Sequence, residues 1–116
     1  MALPSAVPAW LTLPDVAERL GLPVTRARDL VRDGKLIALR DGDDAPLLVP
    51  AELLGSAGPV KHLGAVITLL RDATYSDDEI VAWLFTEDPT LPGTPIAALA
   101  ADRGTEVKRR AQALGF

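Results

Sequence analysis

The sequence predicts a mainly helical protein with one short β-hairpin. Three observations predict it. Apolar residues recur at helical spacing in several separate stretches. Residues that start and stop helices bracket most of those stretches. A single strand-like run, Lys35-Leu-Ile-Ala-Leu-Arg40, is followed by the turn-rich Asp41-Gly-Asp-Asp-Ala-Pro46 and the apolar Leu47-Leu-Val49, which together read as a hairpin.

Residues 1–10 hold two prolines and read as an extended arm, with Trp10 packing onto the first helix. Thr12 is placed to cap that helix. Pro14 falls in its first turn, where a missing N–H costs nothing, and Asp15 suits the positive end of the helix dipole. Leu13, Val16, Ala17 and Leu20 form its apolar face. Gly21-Leu-Pro23 breaks the helix and opens the next. In the second helix Ala27, Leu30 and Val31 make the buried stripe. Thr25, Arg26, Arg28, Asp29 and Arg32 are left outward, and Asp33-Gly34 ends it. Two short helices, a tight turn and a hairpin make a winged helix-turn-helix, expected over 11–54 and including one further helical turn at Pro50–Leu54.

Gly55-Ser-Ala-Gly-Pro59 reads as a linker or hinge, and 60–116 as a helical C-terminal region packed on the first. A helix over 61–72 carries Leu63, Val66, Ile67 and Leu70. Ser76-Asp-Asp-Glu79 has the pattern of a capping box, followed by the apolar Ile80, Val81, Trp83, Leu84 and Phe85. Asp88–Gly93 is a turn. Pro95–Ala101 and Thr105–Leu114 are the last helices.

Composition narrows the function. The 116 residues are 48% apolar, enough for one compact domain or two subdomains on a shared core. The absence of cysteine excludes disulfides and thiolate chemistry, and a single histidine, His62, argues against a histidine metal cluster. No cofactor is expected. No apolar run approaches the ~20 residues of a membrane span, and the N-terminal stretch lacks the basic and apolar regions of a signal peptide. A cytoplasmic location, at the nucleoid, is therefore expected. Asp77, Asp78 and Glu79 are adjacent carboxylates, but consecutive helical residues point in different directions, so they make no convergent acid–base pair. An enzyme is not expected.

The outward face of the second helix points to double-stranded DNA. Thr25, Arg26 and Arg28 lie near its N-terminus, where such helices approach base edges. Arg32, Lys35 and Arg40 are placed to meet backbone phosphates. The net charge is −4, and each side of Gly58 carries six basic and eight acidic residues, so binding must rest on a local basic face. Asp41, Asp43 and Asp44 make the hairpin loop acidic, which predicts modest, strongly salt-dependent affinity. A homodimer is expected through the C-terminal helices, because one short recognition helix gives little specificity alone. Lys108-Arg-Arg110 is expected to be a solvated helix face.

Thr12-Leu-Pro-Asp-Val-Ala-Glu-Arg-Leu-Gly21 and Val31-Arg-Asp-Gly-Lys-Leu36 resemble the winged helix-turn-helix of excisionase and MerR-type regulators, with Pro23 where that group has a polar cap. Gly58-Pro-Val-Lys-His-Leu63, Tyr75-Ser-Asp-Asp-Glu-Ile80, Trp83-Leu-Phe-Thr-Glu-Asp-Pro-Thr-Leu91 and Val107-Lys-Arg-Arg-Ala-Gln-Ala-Leu114 are similar to an actinobacterial family of small DNA-binding proteins. Its mycobacterial member is the substrate of a membrane Ser/Thr protein kinase. That resemblance implies a DNA-binding winged helix-turn-helix, a helical C-terminal region and a protein kinase as partner. In that member the acceptor Thr lies in a longer N-terminal extension; here Ser5 and Thr12 are the substitutes. Trp83-Leu, Asp88-Pro-Thr-Leu and Thr94-Pro-Ile-Ala-Ala-Leu are also similar to the toxin-binding domain of Xre-type antitoxins. That second resemblance implies a toxin partner on a surface containing Trp83, Phe85 and Leu91, residues that a helical core also explains.

Overall fold

Strand β1 (Trp10–Thr12) leads directly into helix α1 (Leu13–Leu20) in the computed structural model, which describes residues 3–115. Thr12 starts α1 through a reciprocal capping box. Its Oγ1 accepts from the Asp15 N–H at 3.3 Å, and its own N–H donates to Asp15 Oδ2 at 3.4 Å. The helix ends on Gly21, left-handed at φ 66°. There the Leu22 N–H donates to Ala17 O at 2.9 Å, and the Gly21 N–H to Glu18 O at 3.3 Å. These are the paired bonds of a Schellman motif.

Helix α2 (Val24–Arg32) follows after three residues, with Pro23 as its extended N-cap residue. It closes with a second Schellman motif. Gly34, at φ 74°, donates to Val31 O at 3.2 Å, and Lys35 N–H donates to Leu30 O at 2.8 Å.

The hairpin is narrower than the sequence suggests. Leu39 and Leu48 exchange two backbone bonds, of 2.9 and 2.8 Å, and form a single bridge. Lys35–Arg40 does not extend it into a strand, for two reasons. The Lys35 and Leu36 N–H groups are held by Leu30 O at the end of α2. The next hydrogen-bonding positions in this register pair residue 41 with Pro46 and residue 37 with Pro50, and neither proline has an N–H to give. Leu36, Ile37, Ala38 and Leu39 are instead all buried.

Strand β2 (Leu48–Pro50) takes its ladder from β1, antiparallel, with Trp10 opposite Pro50, Leu11 opposite Val49 and Thr12 opposite Leu48. Trp10 is therefore a strand residue at the end of the arm. Leu48 is paired on both sides. A 3-10 turn, Ala51–Leu53, replaces the expected helical turn. The segment after it is tied: Leu54 and Pro59 bridge, the Gly55 N–H donates to Gly58 O at 2.6 Å, and the Val60 N–H to Leu53 O at 2.9 Å.

Helices α3 (Leu63–Asp72), α4 (Asp77–Leu84), α5 (Pro95–Ala100) and α6 (Gly104–Ala113) complete the chain. Ser76 and Glu79 form the expected capping box on α4, and Thr94 Oγ1 caps α5 by accepting from the Ala97 N–H at 3.2 Å. Asp77 pairs with Arg71 at 3.1 Å, so two of the three adjacent carboxylates serve structure. Val16, Leu36, Ile37 and Leu53 join Ile67, Leu70, Ile80, Leu84 and Val107 in one hydrophobic cluster, so both parts share a core. No charged or polar residue among those described is buried. No helix among them is long and apolar enough to cross a membrane.

His62 precedes α3 at φ 70°, and its ring lies against Gly104 at the start of α6; a Cβ at 104 would overlap it. An unobstructed helical Gly→Ala change gains up to about 1 kcal/mol. Here the overlap reverses the sign. Gly104→Ala is expected to destabilise the fold by about 1–3 kcal/mol, read from urea denaturation; a stabilised variant would contradict this packing.

Candidate nucleic-acid interface

Helix α2 turns Ala27 fully inward, with Val24, Leu30 and Val31 half-buried beside it. The helical period then sets three outward lines. Thr25, Asp29 and Arg32 lie along the middle, Arg28 on one edge and Arg26 on the other. Thr25, Arg26, Arg28, Arg32, Lys35 and Arg40 are all exposed.

The middle line is internally neutralised. Arg32 pairs with Asp29 at 3.0 Å and with Asp33 at 3.2 Å. The hydrogen bond to Asp33, then the nearby Asp29 charge, push its pKa further up. The cation that sequence reasoning sends to a phosphate is thus already engaged by two carboxylates.

The edges differ. Arg28 shares a cleft with Arg40, walled by Thr12, Leu13, Pro14, Pro46 and Leu47, and no carboxylate lines it. Arg40 Nη1 donates to Ala45 O at 3.3 Å, which holds its guanidinium against the loop beside exposed Asp41, Asp43 and Asp44. On the other edge, Arg26 and Lys35 share a groove with Leu22, Asp29, Leu30 and Asp33. Arg26, Arg28, Lys35 and Arg40 form no ion pair among the described residues.

Sequence reasoning missed Lys61. A further cleft joins Leu30 and Lys35 to Lys61, His62 and the first turn of α3, again with no carboxylate in its lining. The signal was present in Gly58-Pro-Val-Lys-His-Leu63, but only the fold brings that stretch beside the end of α2.

The three residues marked for a protein partner are not grouped on the surface. Phe85 is 6% exposed and Leu91 1%, both within the core, while Trp83 is half-buried. Leu22 and Leu114 are the large apolar side chains exposed among the described residues. No group of three or more acidic or histidine side chains among those residues is placed to hold a metal.

Residues 2–54 match the family profile described as "DNA-binding protein Rv2175c, wHTH domain", and residues 60–115 match "Rv2175c C-terminal domain of unknown function". The chain is 38% identical over 117 residues to DNA-binding protein Rv2175c of Mycobacterium tuberculosis (strain ATCC 25618 / H37Rv), covering 90% of this chain and 79% of the relative. The chain belongs to the Rv2175c family. The NMR structure of Rv2175c superposes with a TM-score of 0.81 at 36% identity, covering 93% of this chain and 82% of that one. The expected fold, a winged helix-turn-helix followed by a helical C-terminal part, is the fold of this Rv2175c family member.

The run Trp83–Leu91 has a structural role in this member of the Rv2175c family. Asp88 accepts from the Thr90 N–H at 2.8 Å and from its hydroxyl at 2.7 Å. Arg110 donates to Thr90 Oγ1 at 2.7 Å and to Thr90 O at 3.1 Å, and Arg103 donates to Leu91 O at 2.9 Å. Arg110 is therefore a clamp between α6 and this turn, and not part of a freely solvated face.

The Thr90 hydroxyl, then the Thr90 N–H and the Arg110 charge, hold the Asp88 carboxyl below its ordinary pKa. A lowered pKa means that the unfolded chain takes up the proton first. The carboxylate's stabilising effect is then complete above the ordinary range, about pH 4, and is lost as pH falls through the lowered value. Asp88→Asn is expected to unfold at lower urea than the wild type near neutral pH, with the gap closing in acid. A gap independent of pH would show that the charge at Asp88 contributes nothing.

Proposed function

We propose that this protein binds double-stranded DNA with α2 in the major groove. Thr25, Arg26 and Arg28 meet base edges or adjacent phosphates, and Lys35 and Arg40 contact the backbone. Arg32, tied to Asp29 and Asp33, contributes less. The observation that carries this reading is the arrangement of α2: its cations are free on both edges, while its Ala27 side is locked into the core. The name of the 38% identical relative supports the same reading.

The acidic hairpin loop sets a limit. Asp41, Asp43 and Asp44 repel a phosphate backbone, so the wing contacts DNA through its base at Arg40 and turns its tip away. Affinity is correspondingly modest and falls steeply with salt. In the cell we assign this activity to transcriptional or nucleoid-associated regulation.

The test is fluorescence anisotropy with labelled duplexes over a range of salt. Arg28→Ala is expected to weaken binding to a preferred site by roughly 1–3 kcal/mol, and Lys35→Ala to reduce the salt slope by about one. Arg32→Ala is expected to change affinity less than Arg28→Ala. Unchanged binding in both Arg28→Ala and Lys35→Ala would overturn the assignment.

A further inference from the structure

The cleft at the seam between the two halves is cationic although the protein as a whole is acidic. Lys35 and Lys61 line it, His62 adds a third nitrogen-bearing side chain, and its walls carry no Asp or Glu. Lys108 Nζ lies 3.3 Å from His62 Nδ1 and brings another cation behind the ring. Lys61 is exposed and forms no ion pair among the described residues. Asp102 lines the neighbouring cleft that Lys61 also borders, but the two make no ion pair. Like charges gathered without a counter-charge repel one another and raise the local potential, which favours an anion.

The position of the cleft says which anion. Leu30 and Lys35 belong both to this cleft and to the groove along the Arg26 edge of α2. The surface from Arg26 through Lys35 to Lys61 is therefore continuous. The Lys35 stem passes over Gly64 of α3, where a Cβ would sit 3.4 Å from Lys35 Cδ. The opposite edge of α2 has its own acid-free cleft, holding Arg28 and Arg40. A helix seated in a major groove has a phosphate strand on each side. The helix-turn-helix and wing furnish cations for one strand. For the other they furnish Arg26 and Lys35, next to Asp29 and Asp33.

We propose that the C-terminal region completes the second flank, with Lys61 contacting a DNA backbone phosphate beside Lys35. This gives the C-terminal region a direct part in binding besides closing the core. It rests on the reading of α2 as a DNA-recognition helix.

Fluorescence anisotropy of the full chain with a fluorescein-labelled duplex of mixed sequence tests it, over a salt series. Lys61→Ala is expected to lower the slope of log affinity against log salt by about one. Lys61→Glu should weaken binding further, with an unchanged urea midpoint for each variant because the side chain is exposed. A wild-type slope in Lys61→Ala and Lys61→Glu, while Arg28→Ala binds more weakly, would overturn the contact and leave the DNA reading standing. No salt-dependent binding by the wild type would overturn both.

Discussion

The close approach of α3 to the end of α2 governs the geometry of the outward face. Gly34 closes α2 in a left-handed turn, and a side chain there would come within 3.1 Å of Arg71 Nη1. Gly64 on α3 leaves room for Lys35 to lie across the helix. Beyond that contact, Leu36–Leu39 runs into the shared core and the hairpin base is fixed by the Leu39–Leu48 bridge. The edges of α2 then face outward in one orientation relative to α3. A helix-turn-helix of this length buries too little surface alone to hold its recognition helix rigidly; the C-terminal helices supply the remaining core.

Charge is organised around that frame. In a chain of net charge −4, many carboxylates are engaged in structure: Asp15 and Glu79 in capping boxes, Asp77 and Glu106 in ion pairs, Asp88 in a turn. Arg71, Arg103 and Arg110 are their partners or hold carbonyls. Arg26, Arg28, Lys35 and Lys61, along the two edges of α2, have no such partner among the described residues. A negative protein thereby presents a local positive face, and the acidic hairpin tip and the Asp29–Arg32–Asp33 cluster keep that face narrow.

Local signals in the sequence located most elements because their causes are local. Thr12–Asp15 and Ser76–Glu79 are reciprocal caps within one turn, and Gly21 and Gly34 are left-handed stops read from residue type alone. The sequence overstates the hairpin because Leu36–Leu39 is apolar through burial and not through pairing. Its prolines, Pro46 and Pro50, were visible but their register was not. The pairing of Trp10–Thr12 with Leu48–Pro50 spans most of the first half and has no local signature. Residue type found the cations of α2, but not that Arg32 is neutralised, which depends on rotamers shared with Asp29 and Asp33. Lys61 and the Arg110 clamp needed tertiary contacts.

The central claim is that α2, with cations free of ion pairs on both edges, is the face that meets duplex DNA. Backbone amide NMR shifts, followed as duplex is added to the isotope-labelled chain, test it most directly. The account predicts that the perturbed amides cluster at Thr25–Arg28, Lys35, Arg40 and Lys61, with Trp83–Thr90 unmoved. Shifts confined to Trp83–Thr90, or spread over α4 and α5 with α2 silent, would contradict it.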